Sequence, residues 1–327
     1  MNEESTTSDV LSVIVGPTAA GKSAIAMDLA EHFGLAIISA DSRQIYRGFD
    51  IGTAKPTREE MARVPHFGID VCDPDARYSA HQWASDVEGW LHEIRQGARQ
   101  PLVVGGTGFY VRALVDPLDR VPSLDPGARE QLAAVLDALS PEELERWCRR
   151  LDPARAALGR TQRLRAVETA LLTGRRLSET YGAPDRARRR ARYLVVDPGP
   201  LLARRIEARV VAMEAAGWPD EVRALMERVP ADAPAWQASG YSRMRDAVMG
   251  TMTRSAALDR IVIETRQYAK RQRTWFRHQL PAQAVTVLDS SAPDARDRAR
   301  AWWESKWASE AASETASEAA SEVERLT

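Results

Sequence analysis

The chain has 327 residues, 44% apolar and 28% charged, with a formal net charge of −1. That suffices for one large or two modest domains with an ordinary core, and no run of eighteen apolar residues is present to span a membrane. The opening MNEESTTSDV is acidic and polar, the reverse of a secretory signal, and Cys72 and Cys148 have no metal spacing, so the expectation is a cytoplasmic protein with two ordinary thiols.

Val10 to Val15 is an apolar run that reads as a buried strand. It leads into Gly16, Pro17, Thr18, Ala19, Ala20, Gly21, Lys22 and Ser23, which fit G-x-x-x-x-G-K-[ST] at every fixed position. An apolar-periodic helix, Ala24 to Phe33, follows. Strand, glycine loop and helix together make an anion site, because loop N–H groups and the helix N-terminus both face a phosphate. Lys22 adds a point charge, and the Ser23 hydroxyl is placed to ligate Mg²⁺. All eight loop residues are therefore expected to hold a di- or triphosphate.

Leu35 to Ala40 reads as a second strand and ends at Asp41, Ser42, Arg43 and Gln44. In an open α/β sheet this places Asp41 on the rim that carries the phosphate loop. A carboxylate there can act as a base, reach Mg²⁺ indirectly, or simply cap the next turn. FDIGTAKPT (49–57) reads as a loop and His66 to Cys72 as a third strand. Ser79 to Gly97 reads as a helix with Trp83 and Trp90 in the core. Pro101 to Val104 is a fourth strand, and the glycine turn after it brings Thr107 to the same rim. The alternation predicts an α/β class with a parallel sheet of the P-loop NTPase kind, flanked by helices.

The rhythm then changes. Helical patterns cover Pro126 to Leu139, Pro141 to Leu151, Arg163 to Leu172 and the basic stretch Arg186 to Arg192, predicting an all-helical insertion. Tyr193 to Val196 returns as a core strand. Helices are expected over Pro200 to Ala216, Asp220 to Val229 and Ser255 to His278, with QASGY (237–241) as a turn. Ala284 to Leu288 reads as a last strand, with a helix near Asp294 to Trp307. The expected organisation is a disordered N-terminus (1–9), a core over 10–117 and 192–307, the insertion at 118–191, and a low-complexity tail at 308–327.

The small net charge hides an asymmetry. Arg146 to Arg192 carries 14 arginines against Asp152, Glu168, Glu179 and Asp185, whereas Ser309 to Glu324 carries only glutamates. The basic segments suit a polyanion larger than the loop phosphate, or are solvated helix faces. The chain's only lysines are Lys22, Lys55, Lys270 and Lys306, so a compact ammonium is retained at few places.

With these pieces placed, the chain resembles the bacterial tRNA dimethylallyltransferases. The matching motifs are GPTAAGKS (16–23), SADSRQIYRGFDIGTAKP (39–56), VVGGTGFY (103–110), QRLRAVE (162–168), EVRAL (221–225) and TRQYAKRQRTWFR (265–277). The resemblance implies transfer of a dimethylallyl group from dimethylallyl diphosphate to N6 of the adenosine on the 3′ side of the anticodon. It implies that the loop holds the diphosphate, with Mg²⁺ at Ser23, that Asp41 is the base, and that Arg223 meets the leaving group. Thr107 would contact the adenosine, and Ser42, Arg43 and Gln44 the neighbouring bases. Arg129, Gln162, Arg163, Leu164, Arg165 and Ala166 would grip the anticodon stem. Gln237, Gly240, Tyr241, Lys270, Arg271, Arg273, Trp275 and Arg277 would complete the tRNA contacts. Trp275 and Phe276 can also be core. Ser242 stands where the family usually has a lysine or arginine, with Arg243 beside it. The partners expected are tRNA, through its anticodon stem-loop, and dimethylallyl diphosphate, with no membrane and a monomeric chain. Two rivals share the phosphate loop: an ATP-dependent small-molecule or nucleotide kinase, and a nucleotide-gated RNA-binding module without chemistry.

Overall fold

The computed structural model describes residues 10–116, 124–179 and 189–305. Six strands form one parallel sheet: β1 (Leu11–Val15), β2 (Ala36–Ser39), β3 (His66–Phe67), β4 (Pro101–Gly105), β5 (Ala191–Val196) and β6 (Val285–Leu288). Their order is β3-β2-β4-β1-β5-β6, every pairing parallel. β1 is buried along its whole length, as its unbroken apolar run requires. It pairs with β4 up to Val15↔Gly105 and with β5 up to Val15↔Val195, so three carboxyl ends finish level. The chain leaves β1 to form β2 on the far side of β4, while β5 lies on the other side of β1. That reversal opens a crevice at the carboxyl edge, where ligands bind in sheets of this kind.

Helices α1 (Lys22–Phe33), α3 (Ala80–Gln96) and α4 (Gly108–Val115) return the chain between strands. Later helices are α8 (Leu202–Ala215), α9 (Trp218–Met226), α10 (Tyr241–Val248) and α11 (Arg254–Gln279), and residues 295–305 are also helical. The apolar face of α1 packs with Ile14, Ile37, Leu194, Leu288, Trp302 and Trp303 in one core cluster. Arg192 lies over the Trp302 ring at 4.3 Å and donates to the Trp302 and Trp303 carbonyls, fastening the 295–305 stretch to β5.

The described chain divides into two compact units, residues 10–115 with 189–305, and residue 116 with 124–179. The second holds α5 (Pro126–Asp137), α6 (Pro141–Leu151) and α7 (Arg160–Thr173) around a small core of Leu136, Leu144, Cys148, Ala166, Val167 and Leu177.

Several local expectations are corrected. The strand expected at His66 to Cys72 stops at Phe67, because Gly68 (φ 76°) and Asp70 (φ 54°) turn the chain, and Cys72 forms only an isolated bridge with Tyr46. α2 (Arg58–Arg63) was legible as Thr57-x-x-Glu60, a capping box with both bonds made. The basic stretch around 186–192 is not a helix where it is described, since β5 begins at Ala191. Residues 186–188, like the expected disordered N-terminus and the Ala/Ser/Glu tail, lie outside the described residues.

Candidate active site

The carboxyl edge of the sheet opens into a cleft of about 520 Å³. Its lining includes Thr18 to Ala24 from the first loop, Asp41, Arg43 and Gln44 after β2, Gly52 to Pro56, Gly105 and Gly106 after β4, and residues of α8 and α11. Segments far apart in sequence meet here because they follow adjacent strand ends.

The phosphate loop begins where only glycine fits. Gly16 has φ 152°, and a Cβ there would stand 2.2 Å from the Val196 carbonyl oxygen of β5. Ala19 is held at φ 61°, a strained state for alanine that turns the loop backbone. Lys22 donates to the Pro17 carbonyl at 2.8 Å. Its pKa falls to about 8, first through burial and then through nearby Arg209, with Asp41 opposing. A bound diphosphate would hold this ammonium charged. Affinity for an organic diphosphate should therefore fall as pH rises through about 8, and binding should take up a proton above that value. Calorimetry in buffers of different ionisation heat should record uptake of about one proton at about pH 9 and almost none at about pH 7. Absence of uptake at the higher pH would show that Lys22 is charged in the free site.

Asp41 does cap a turn, as one expectation held. Its Oδ1 accepts the Arg43 N–H at 2.9 Å. It also lines the cleft, so its second oxygen is available to a ligand. The Thr107 hydroxyl accepts the Ser42 N–H at 3.0 Å and donates to the Ser42 hydroxyl at 3.3 Å, so Thr107 steadies the Asp41 turn. The Gln44 amide is used internally: Oε1 accepts from the Ser39 hydroxyl, and Nε2 donates to the Thr53 and Ala54 carbonyls at 3.3 and 2.9 Å. It builds the cleft wall rather than offering a free amide to a base.

Arg223 is not in the cleft. It sits on the outer side of α9, paired with Asp220 at 2.5 Å, its side chain 60% exposed. The lining arginines are Arg43, Arg205 and Arg209, and the pKa of Arg209, on α8, is lowered by burial with Asp41 opposing. No salt-bridge partner for it occurs among the described residues. Its signal was an arginine beside the buried stripe Leu202, Ile206 and Val210. Arg205, one turn earlier, donates to the Ala20 carbonyl and to Ser290, fixing the phosphate loop to the chain after β6. Tyr268 of α11 also lines the cleft; burial and the Asp41 charge push its phenol up to about 12, so it remains a neutral O–H.

The EVRAL motif matters through a different residue. Glu221 accepts the Asp50 and Ile51 N–H groups at 3.1 and 2.7 Å and the Tyr241 hydroxyl at 2.6 Å, and Tyr241 accepts the Gly52 N–H at 3.1 Å. This network holds the 50–55 loop, which Lys55 closes by donating to Tyr46 O, Asp50 and Asp70. Tyr241 and Gly240, expected on tRNA, are instead buried and structural. Arg273 is likewise engaged, in a bidentate pair with Asp197 at 2.8 and 2.5 Å. Trp275 is half-buried, packed on Gly108 and edge-to-face with buried Phe276 at 5.4 Å. Gln237, Lys270, Arg271 and Arg277 are exposed.

In the second unit, Arg129 is paired with the nearly buried Glu168 at 2.6 Å, and Arg163 with Glu145 at 3.4 Å. Ala166 is fully buried and Leu164 packs on the same core, whereas Gln162 and Arg165 are exposed.

For a divalent ion, the described residues hold no group of three His, Cys, Asp or Glu side chains able to bind it unaided. The cleft offers the Ser23 hydroxyl and the Asp41 carboxylate. This sparse oxygen set fits Mg²⁺, which keeps waters and takes its remaining ligands from a substrate's phosphates.

A parallel sheet with a phosphate loop after β1, facing cations and the Asp41 carboxylate across the carboxyl edge, defines a P-loop enzyme that acts on a phosphorylated substrate. The family model for IPP transferase matches residues 44–279, and that for isopentenyl transferase matches residues 10–68. The chain is 42% identical over 300 residues to the tRNA dimethylallyltransferase of Symbiobacterium thermophilum, covering 88% of this chain and 92% of the relative. Among solved structures, the tRNA isopentenylpyrophosphate transferase of Bacillus halodurans is similar at TM-score 0.67 and 32% identity, covering 94% of this chain and 99% of that one. A eukaryotic dimethylallyltransferase acting on tRNA is similar at TM-score 0.72 and 26% identity, covering 90% and 78%. The chain belongs to the IPP transferase family, that of the tRNA dimethylallyltransferases. This membership, rather than the phosphate loop, separates it from a kinase.

Proposed function

We propose that this chain transfers the dimethylallyl group of dimethylallyl diphosphate to N6 of the adenosine on the 3′ side of a tRNA anticodon, releasing diphosphate. The observation that carries this reading is one cleft lined by Asp41 and by the cations Lys22 and Arg209. The adenine amine is a poor nucleophile, its lone pair being shared with the ring. As that lone pair attacks the allylic carbon, the carbon–oxygen bond breaks and its electron pair leaves with the diphosphate. The free oxygen of Asp41 takes the N6 proton. Lys22, Arg209 and the loop N–H groups meet the charge growing on the leaving group. Ser23 would hold Mg²⁺, which when bound would supply further Lewis-acid neutralisation of the leaving group. The base must leave its stack to reach this depth.

Exposed Gln162 and Arg165 of the second unit contact the anticodon stem in this reading, and Lys270, Arg271 and Arg277 contact further phosphates. The enzyme acts as a monomer in the cytoplasm, where its tRNA is made. No helix of the described residues is long and apolar enough to cross a membrane.

Labelled dimethylallyl diphosphate, Mg²⁺ and unmodified tRNA, run beside labelled ATP, test the reading. Label should enter tRNA from the prenyl donor alone; phosphate transfer from ATP without prenylation would hand the site to a kinase. Binding of tRNA should weaken log-linearly with salt, and Arg165→Ala should reduce that slope by about one. A slope unchanged in the variant would remove Arg165 from the interface.

A further inference from the structure

Gln272 belongs to the TRQYAKRQRTWFR segment, and no role proposed above uses it. It projects from α11 and is only 6% exposed. Its Oε1 accepts the Thr18 N–H at 2.9 Å, and its Nε2 donates to the Gly106 carbonyl at 2.8 Å. One end of the amide thus holds the phosphate loop and the other holds the turn leading to Thr107. The partners fix the amide's orientation, since an N–H needs an acceptor and a carbonyl needs a donor. A Cβ on Gly106 would stand 2.4 Å from Nε2, so only glycine admits the amide there.

Sheet geometry shows what this link adds. β1 and β4 are joined by a regular ladder that ends at Val15↔Gly105. Beyond that register the ladder no longer sets the distance between the two loops. Gln272 rejoins them one residue past β4 and three past β1. We propose that Gln272 is a positioning residue, setting the diphosphate loop against the Gly105–Thr107 turn so that leaving group and acceptor amine meet at reacting distance. The inference rests on the proposed roles of those two loops. It does not require Gln272 to touch either substrate.

The link is chemically selective. It needs one acceptor and one donor on a single planar group. A carboxylate keeps the acceptor for Thr18 but turns a second lone pair toward the Gly106 carbonyl, whereas a protonated carboxyl restores the donor. A methionine of similar length supplies neither.

The test measures single-turnover prenyl transfer with both substrates saturating, and the Kd of each substrate, for wild type, Gln272→Met and Gln272→Glu. For Gln272→Met the rate should fall about 10- to 100-fold, while both Kd values stay within about threefold, because misplacement of bound groups costs rate rather than binding. For Gln272→Glu the rate relative to wild type at the same pH should rise about tenfold from about pH 8.5 to about pH 5.5, as the buried carboxyl takes up its proton. Dividing by wild type removes the pH dependence that both enzymes share. A pH-independent ratio would overturn the proposal. So would an unchanged rate in Gln272→Met, or a diphosphate Kd weakened as much as the rate, which would make the amide part of the diphosphate site. Failure of both variants to fold would overturn it too, since the amide would then serve the fold. A Lys22→Ala control separates the two levels: unaltered diphosphate binding there would sink the loop's proposed role and the inference with it, whereas weakened binding there beside an unchanged rate in Gln272→Met would sink the inference alone.

Discussion

Asp41→Asn should cut prenyl transfer by about 10²- to 10⁴-fold while tRNA binds with wild-type affinity, the range expected for loss of a general base. The asparagine matters because Asp41 has two tasks. Its Oδ1 fixes the turn through the Arg43 N–H, and the residue lines the cleft. An asparagine carbonyl keeps the first bond and removes only the proton acceptor. Asp41→Ala loses both, and so should lower turnover further and disturb Arg43, which lines the same cleft. Single-turnover rates and filter-binding of tRNA to both variants separate the tasks. An Asp41→Asn enzyme that turns over like wild type would remove the base from this carboxylate.

Arg209→Ala should lower kcat/KM for dimethylallyl diphosphate by about 10²- to 10³-fold, as loss of one donor to a developing anion does. Arg223→Ala should stay within about twofold of wild type, since an exposed i,i+3 ion pair contributes little. The contrast follows from placement alone. Both residues are arginines on helices that follow β5, yet one lines the cleft and the other faces outward on α9. Steady-state kinetics on the two variants decide it, and the reverse ranking would return the leaving-group role to Arg223.

That pair also shows where sequence reasoning reaches its limit. The phosphate loop, the Asp41 turn and the Thr107 turn were legible because each is a local pattern read at the end of a strand, and the sheet fixes where strand ends go. Arg209 was not found, because its role depends on which face of α8 is buried against α11 and the phosphate loop. The periodic stripe Leu202, Ile206 and Val210 carried that information, but the family resemblance drew attention to EVRAL instead. There, Val222 and Leu225 are buried, Glu221 turns toward the 50–55 loop, and Arg223 is rotated away. Tyr241 was misplaced for a related reason: a tyrosine in a turn reads as an exposed aromatic until its partner, Glu221, is seen twenty residues away. The starts of α5 and α6 match those read from the sequence, where Asp125-Pro126 and Ser140-Pro141 mark them with caps, whereas α7 begins three residues before the expected Arg163. Its arginines were read by charge, and the pairing of Arg129 with Glu168 could be seen only with α5 and α7 in place.

The Thr18 to Gln272 bond spans 254 positions of the chain. A ribosome therefore releases the phosphate loop near the start of synthesis and this anchor near the end, roughly 10–50 s later at ordinary elongation speeds. Until then the nascent chain carries a glycine loop with no fixed distance to the turn after β4. Catalytic competence in this protein is thus a late event of translation, reached only when the final third of the chain has closed over the first.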